Sequence, residues 1–72
     1  MATKDTYTAV VKKFGDWWIG WIEEVPGVNC QEASKKELIE SLRATLREAL
    51  ELNRRDAREA AGEGFDEEPI IV

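Results

Sequence analysis

The sequence predicts an α+β domain. It is a three-stranded antiparallel sheet with one long helix packed on one face and a short C-terminal strand, in the order β-β-β-α-β. Three observations carry this. Two runs rich in β-branched and aromatic residues flank a Gly-Asp turn. A helix-capping signal opens a stretch whose leucines recur at every fourth position. The 72 residues leave room for a single small domain, 1–72, of which 1–5 are expected to be a flexible N-terminus.

The first strand is expected over Tyr7–Lys13 and the second over Trp17–Ile22, with Phe14-Gly15-Asp16 as the turn between them. Gly20 is a poor strand former in the middle of the second. It marks a place where a helix or an aromatic ring lies across the strand. Val25-Pro26-Gly27 ends that strand, because Pro26 has no N–H for a ladder and Pro-Gly favours a turn. A third, short strand is expected over Val28–Glu32.

Ser34-Lys35-Lys36-Glu37 is a capping box. Ser34 should accept from the Glu37 amide and Glu37 should reach back to the Ser34 amide. Leu38, Leu42, Leu46, Ala49, Leu50 and Ala57 then form one apolar stripe, with Glu40, Arg43, Arg47, Glu51, Arg54, Arg55 and Arg58 largely off it. Gly62 is the expected stop. Such a helix is about 40 Å long. Its second half, residues 53–61, offers only alanines for burial and should project past the sheet or fray. Residues 62–68 read as an acidic loop, and Pro69-Ile70-Ile71-Val72 as a strand returning beside the first, parallel to it.

Composition restricts the chemistry. The chain has one cysteine and no histidine, so neither a disulfide framework nor a zinc site of the usual kind is expected. Cys30 has no histidine to act as its base. No Gly-rich phosphate loop is present. The residues predict no catalytic, cofactor-binding or metal site. No apolar run is long enough for a membrane span, no signal peptide is evident, and the lone thiol suits a reducing cytoplasm. The net charge of −5 points away from free nucleic acid and towards a basic partner. The excess acid sits in residues 1–33 and 62–72, since residues 34–61 carry seven Lys/Arg against six acids.

Trp17, Trp18 and Trp21 are the most informative residues. Neighbours on a strand point to opposite faces, so Trp17, Ile19 and Trp21 share one face while Trp18, Gly20 and Ile22 share the other. Both faces are therefore apolar, and one helix covers only one of them. The other must meet a second chain or stand open. Trp17, Trp18 and Trp21, with Glu23 and Glu24 beside them, are the candidate partner-binding residues.

The stretch Trp17-Trp18-Ile19-Gly20-Trp21-Ile22-Glu23-Glu24-Val25-Pro26-Gly27 resembles the strand-and-turn signature of the HicB-like antitoxin family. The resemblance continues through residues 28–34, where Gln31 and the capping hydroxyl of Ser34 are retained, into the helix Leu38–Leu52, and it covers residues 6 to about 55. Glu23 stands where the family has the first proline of its motif, and Glu32-Ala33 where it has Gly-Asp. The resemblance implies a partial, inactive ribonuclease H-like fold in a short form without the C-terminal DNA-binding segment. It implies a non-enzymatic antitoxin that occludes a small basic, mRNA-cleaving, HicA-like toxin. An active ribonuclease H fold needs an acid at the centre of the first strand, and Tyr7–Val11 supplies none. The rival expectation is an orphan homo-oligomeric domain of the same fold, a dimer or tetramer with no toxin.

Overall fold

A computed structural model describes residues 6–72; the expected flexible stretch 1–5 lies outside the described residues. Four elements follow one another: β1 (Ala9–Phe14), β2 (Trp17–Ile22), β3 (Asn29–Glu32) and α1 (Lys35–Ala61). The strands form one antiparallel sheet in the order β1-β2-β3, so the chain is α+β with a three-stranded sheet and one long helix. Its shortest dimension is 15 Å, room for one sheet and one helix.

The hairpin turn is tighter than the sequence suggests. Phe14 belongs to β1 and pairs with Trp17, leaving Gly15-Asp16 as a two-residue loop. Gly15 has φ +62° while no non-glycine residue among the described ones has a positive φ, the pattern of a type II′ turn with glycine at its first central position. Such a turn matches strand twist and frees Phe14 for the ladder. β3 begins one residue later than expected. Val28, just before it, is 2% exposed, and its carbonyl accepts from the Ile22 amide at 3.1 Å.

α1 runs for 27 residues from the Ser34 cap. Ser34 Oγ accepts from the Glu37 amide at 3.1 Å as expected. The return bond differs: the Glu37 carboxylate accepts from the Ser34 hydroxyl at 3.0 Å, not from its amide. Gly62, φ +77°, ends the helix and donates its N–H to the Arg58 carbonyl. Every residue from Glu51 to Ala61 is exposed, so the second half of the helix projects past the sheet and Ala57 buries nothing.

The core lies between α1 and one sheet face. Ile22, Val28, Leu38 and Leu42 are buried, with Tyr7, Ala9, Val11, Trp18, Val25, Cys30, Leu46 and Ala49 packed around them. Gly20 is the contact point expected of it. A Cβ there would lie 3.1 Å from Leu38 Cδ2, 3.2 Å from Leu42 Cδ1 and 2.8 Å from the Val10 carbonyl oxygen. Beside it, Ser41 Oγ donates to Glu32 Oε2 at 2.6 Å and Cys30 Sγ lies 3.5 Å from Thr45 Oγ1, fastening α1 to β3.

The tail departs from expectation. Residues 69–72 form no strand, and Ile70 and Ile71 are 81% and 95% exposed. The chain leaves Gly62 at the far end of the helix, and Glu67 pairs with Arg58 there at 2.8 Å. From that anchor the last five residues extend about 17 Å at 3.3 Å each. Among the described residues the outer edge of β1 has no strand neighbour.

Candidate functional site

The sheet face away from the helix is set by strand alternation and register. Val10 pairs with Trp21 and Trp21 with Asn29; Lys12 pairs with Ile19 and Ile19 with Gln31; Phe14 pairs with Trp17. These residues share the open face, because Gly20, Ile22 and Cys30 between them face α1. Its apolar members are Val10, Phe14, Trp17, Ile19 and Trp21. Phe14 is 68% exposed, Trp17 48% and Trp21 40%. Three large aromatics lie together on one uncovered surface, a composition typical of interface hot spots and uncommon on a face that stays in water.

The five candidate residues do not all come together. Trp17 and Trp21 lie on the open face. Trp18 lies on the other, beside the first turn of α1, with the ammonium groups of Lys13 and Lys35 each 5.9 Å from its ring centroid. That geometry gives Trp18 a packing role at the end of the core. Glu23 extends the β2 ladder by one bond, its amide donating to the Thr8 carbonyl at 2.9 Å, and its side chain is solvated at the rim. Glu24 is tied down: its carboxylate accepts from the Thr8 amide at 2.8 Å. This bond favours the charged form and holds the Glu24 carboxyl below the ordinary carboxylate range. Glu24 therefore fixes the entry to β1 as well as adding charge.

Phe14 is the site residue that sequence reasoning misses, because Phe14-Gly15-Asp16 reads as a three-residue turn. A two-residue turn sets it opposite Trp17. Lys12, Asn29 and Gln31 complete the face and supply polar groups that fix orientation around the apolar centre.

A second apolar surface lies on the helix side. α1 packs mainly over β3 and β2 and barely touches β1. This leaves a groove of about 440 Å³ between the β1 side of the sheet and the helix. Ala9, Ile22, Leu42 and Leu46 line it, and Arg43 and Arg47 stand at its edge. Among the described residues no three Cys, Asp or Glu side chains converge, and no helix is long and apolar enough to cross a membrane. Comparison with known proteins found no matching family model, no matching curated protein and no matching solved structure.

Proposed function

We propose that this chain is a non-enzymatic binding module, an antitoxin of the HicB-like kind, whose open aromatic sheet face covers a small basic, mRNA-cleaving toxin. One observation carries the reading: Phe14, Trp17 and Trp21 stand together, uncovered, on a sheet whose other face already holds the helix. The acidic excess of the chain suits a basic partner, and Asp16 and Glu23 place part of it at the two ends of β2. The sequence resemblance through the β2 strand, the Pro26-Gly27 turn and the helix start supports the family. In that reading the fold is a partial ribonuclease H-like one, and its returning strand, residues 69–72, forms only on assembly. The lone free thiol of Cys30 suits a cytoplasmic protein. The rival reading is an orphan dimer or tetramer that packs the same face against its own copy; the same three aromatics favour it.

The test is a tagged pull-down from native extract beside light scattering of the purified chain. The expected result is a stoichiometric small basic protein that cleaves RNA in vitro and stops cleaving when the chain is added at 1:1. Trp17→Ala with Trp21→Ala should weaken that complex. A hot-spot truncation worth about 2 kcal/mol is roughly 30-fold in Kd. Bait alone, recovered as a stable oligomer that the double variant dissociates, would replace the antitoxin reading with the orphan one.

A further inference from the structure

We propose that the groove between β1 and α1 receives the C-terminal tail, residues 68–72, of a second copy of this chain, in a reciprocal dimer. This surface is separate from the aromatic face, and the inference does not depend on what that face binds.

Four observations converge. The groove is apolar, and it borders the start of β1 at Tyr7 and Ala9; among the described residues the outer edge of β1 has no strand partner. The tail presents Ile70, Ile71 and Val72 almost fully to solvent, directly after Asp66-Glu67-Glu68. Arg43 and Arg47 sit one helical turn apart at the edge of the groove. Among the described residues the ion pairs are Glu51–Arg54 and Arg58–Glu67, so neither of these two arginines has a carboxylate partner. An acidic segment followed by an aliphatic one meets, in the groove, a basic edge followed by an aliphatic floor.

Reach selects the second copy over the chain's own tail. With Glu67 held by Arg58, the last five residues span about 17 Å. The helix side of the groove runs from Leu50, about 12 Å along the axis from Arg58, to Ile39, about 28 Å. The chain's own tail therefore reaches its groove from Leu50 to about Arg47 and leaves the rest, as far as Ile39, for another segment. Two helices laid antiparallel about an axis near Arg54 bring Arg58 of one, where Glu67 anchors the tail, level with Leu50 of the other. Each tail then starts where the partner's groove is. The projecting, solvated half of α1, residues 51–61, becomes the arm that carries the tail across. The contact is isologous and closes at two copies, and an extended segment added at the β1 edge gains main-chain bonds along with side-chain burial.

The experiment is light scattering of the full chain under reducing conditions. The wild type should be a dimer, and Ile70→Asp with Ile71→Asp should raise the dimer dissociation constant at least tenfold with the helical circular dichroism unchanged. Arg43→Glu with Arg47→Glu should do the same. Mixing the two variants should recover one of the two contacts, giving a dimer tighter than either variant's own and weaker than the wild type's, because the second supplies an intact tail and the first an intact groove. Trp17→Ser with Trp21→Ser should leave this dimer intact, which separates its failure from failure of the partner-binding reading. A monomeric wild type would overturn the proposal. So would a dimer that survives the tail substitutions, or monomers whose own tail amides are protected from hydrogen exchange.

Discussion

Gly20→Ala is the sharpest test of how the helix is seated. The added methyl would sit 2.8 Å from the Val10 carbonyl oxygen and 3.1 and 3.2 Å from terminal methyls of Leu38 and Leu42. The first contact is with backbone in the neighbouring strand, which cannot move without disturbing the ladder. The other two are with the most deeply buried side chains of the helix, at 0% and 1% exposure. Overpacking of this kind costs about 1–3 kcal/mol. A 2.8 Å contact with backbone belongs in the upper part of that range, about 2–3 kcal/mol; alanine recovers about 0.5–1 kcal/mol of the backbone entropy that glycine loses in a strand, so a net loss of about 1–2.5 kcal/mol is expected. A chain this size has about 4–11 kcal/mol of stability in all, and each kcal/mol shifts Tm by about 4–8 °C. Thermal melts followed at the helical circular dichroism band should thus show Tm lower by about 4–20 °C. Leu42→Val removes the Cδ1 contact, so the double variant should lose less than the sum of the two singles. A Gly20→Ala chain with unchanged or raised Tm would refute the reasoning: the helix would then not lie over Gly20 as described.

Ser34→Ala removes the acceptor of the Glu37 amide and the donor to the Glu37 carboxylate. It should cost about 1 kcal/mol, read as a Tm lower by about 4–8 °C; Ser34→Asp, which keeps an acceptor, should restore most of it. Glu24 makes stability pH-dependent with a defined sign. Its carboxyl binds protons more weakly folded than unfolded, so its bond to the Thr8 amide stabilises at neutral pH. That contribution is lost as pH falls through the ordinary carboxylate range to the lowered folded value. Urea midpoints should put the wild type above Glu24→Gln at pH 7, and the gap should close as pH falls through the ordinary carboxylate range to the lowered folded value; a gap that stays constant with pH would contradict this.

Local signals are the legible ones. The Ser34 cap, the leucine stripe and the Gly62 stop each depend on residues within a turn or two, and the helix runs between those two signals. Gly20 is legible because a glycine weakens a strand of Trp and Ile, and the gain that offsets this loss is room for a close neighbour. The split of the tryptophans follows from alternation alone. Phe14 is misplaced because a three-residue and a two-residue turn read alike around Gly15. The Glu24–Thr8 bond joins residues sixteen apart, which no pattern announces. The groove is illegible for a different reason. It exists because the helix sits off-centre, over β2 and β3, fixed there by Ser41 to Glu32 and Thr45 against Cys30. The tail strand has apolar sequence in its favour, but the helix delivers the tail at its far end, where Glu67 pairs with Arg58.

That off-centre seat also ties stability to occupancy. Ile22, Val28, Leu38 and Leu42 are the fully buried hydrophobics among the described residues, while Phe14, Trp17 and Trp21 remain in water. The largest apolar side chains thus contribute less to folding than their size allows, and what they withhold becomes available on binding. A partner present at a hundred times its Kd adds about 2.7 kcal/mol, a sizeable share of the total for so small a domain. The same substitutions should therefore have opposite readings in the two states. Trp17→Ala and Trp21→Ala should change the melting of the free chain little, since the rings are half in water, but should remove most of the rise in Tm that an occupant of the open face produces. Gly20→Ala should do the reverse, lowering both melting points equally and leaving their difference intact.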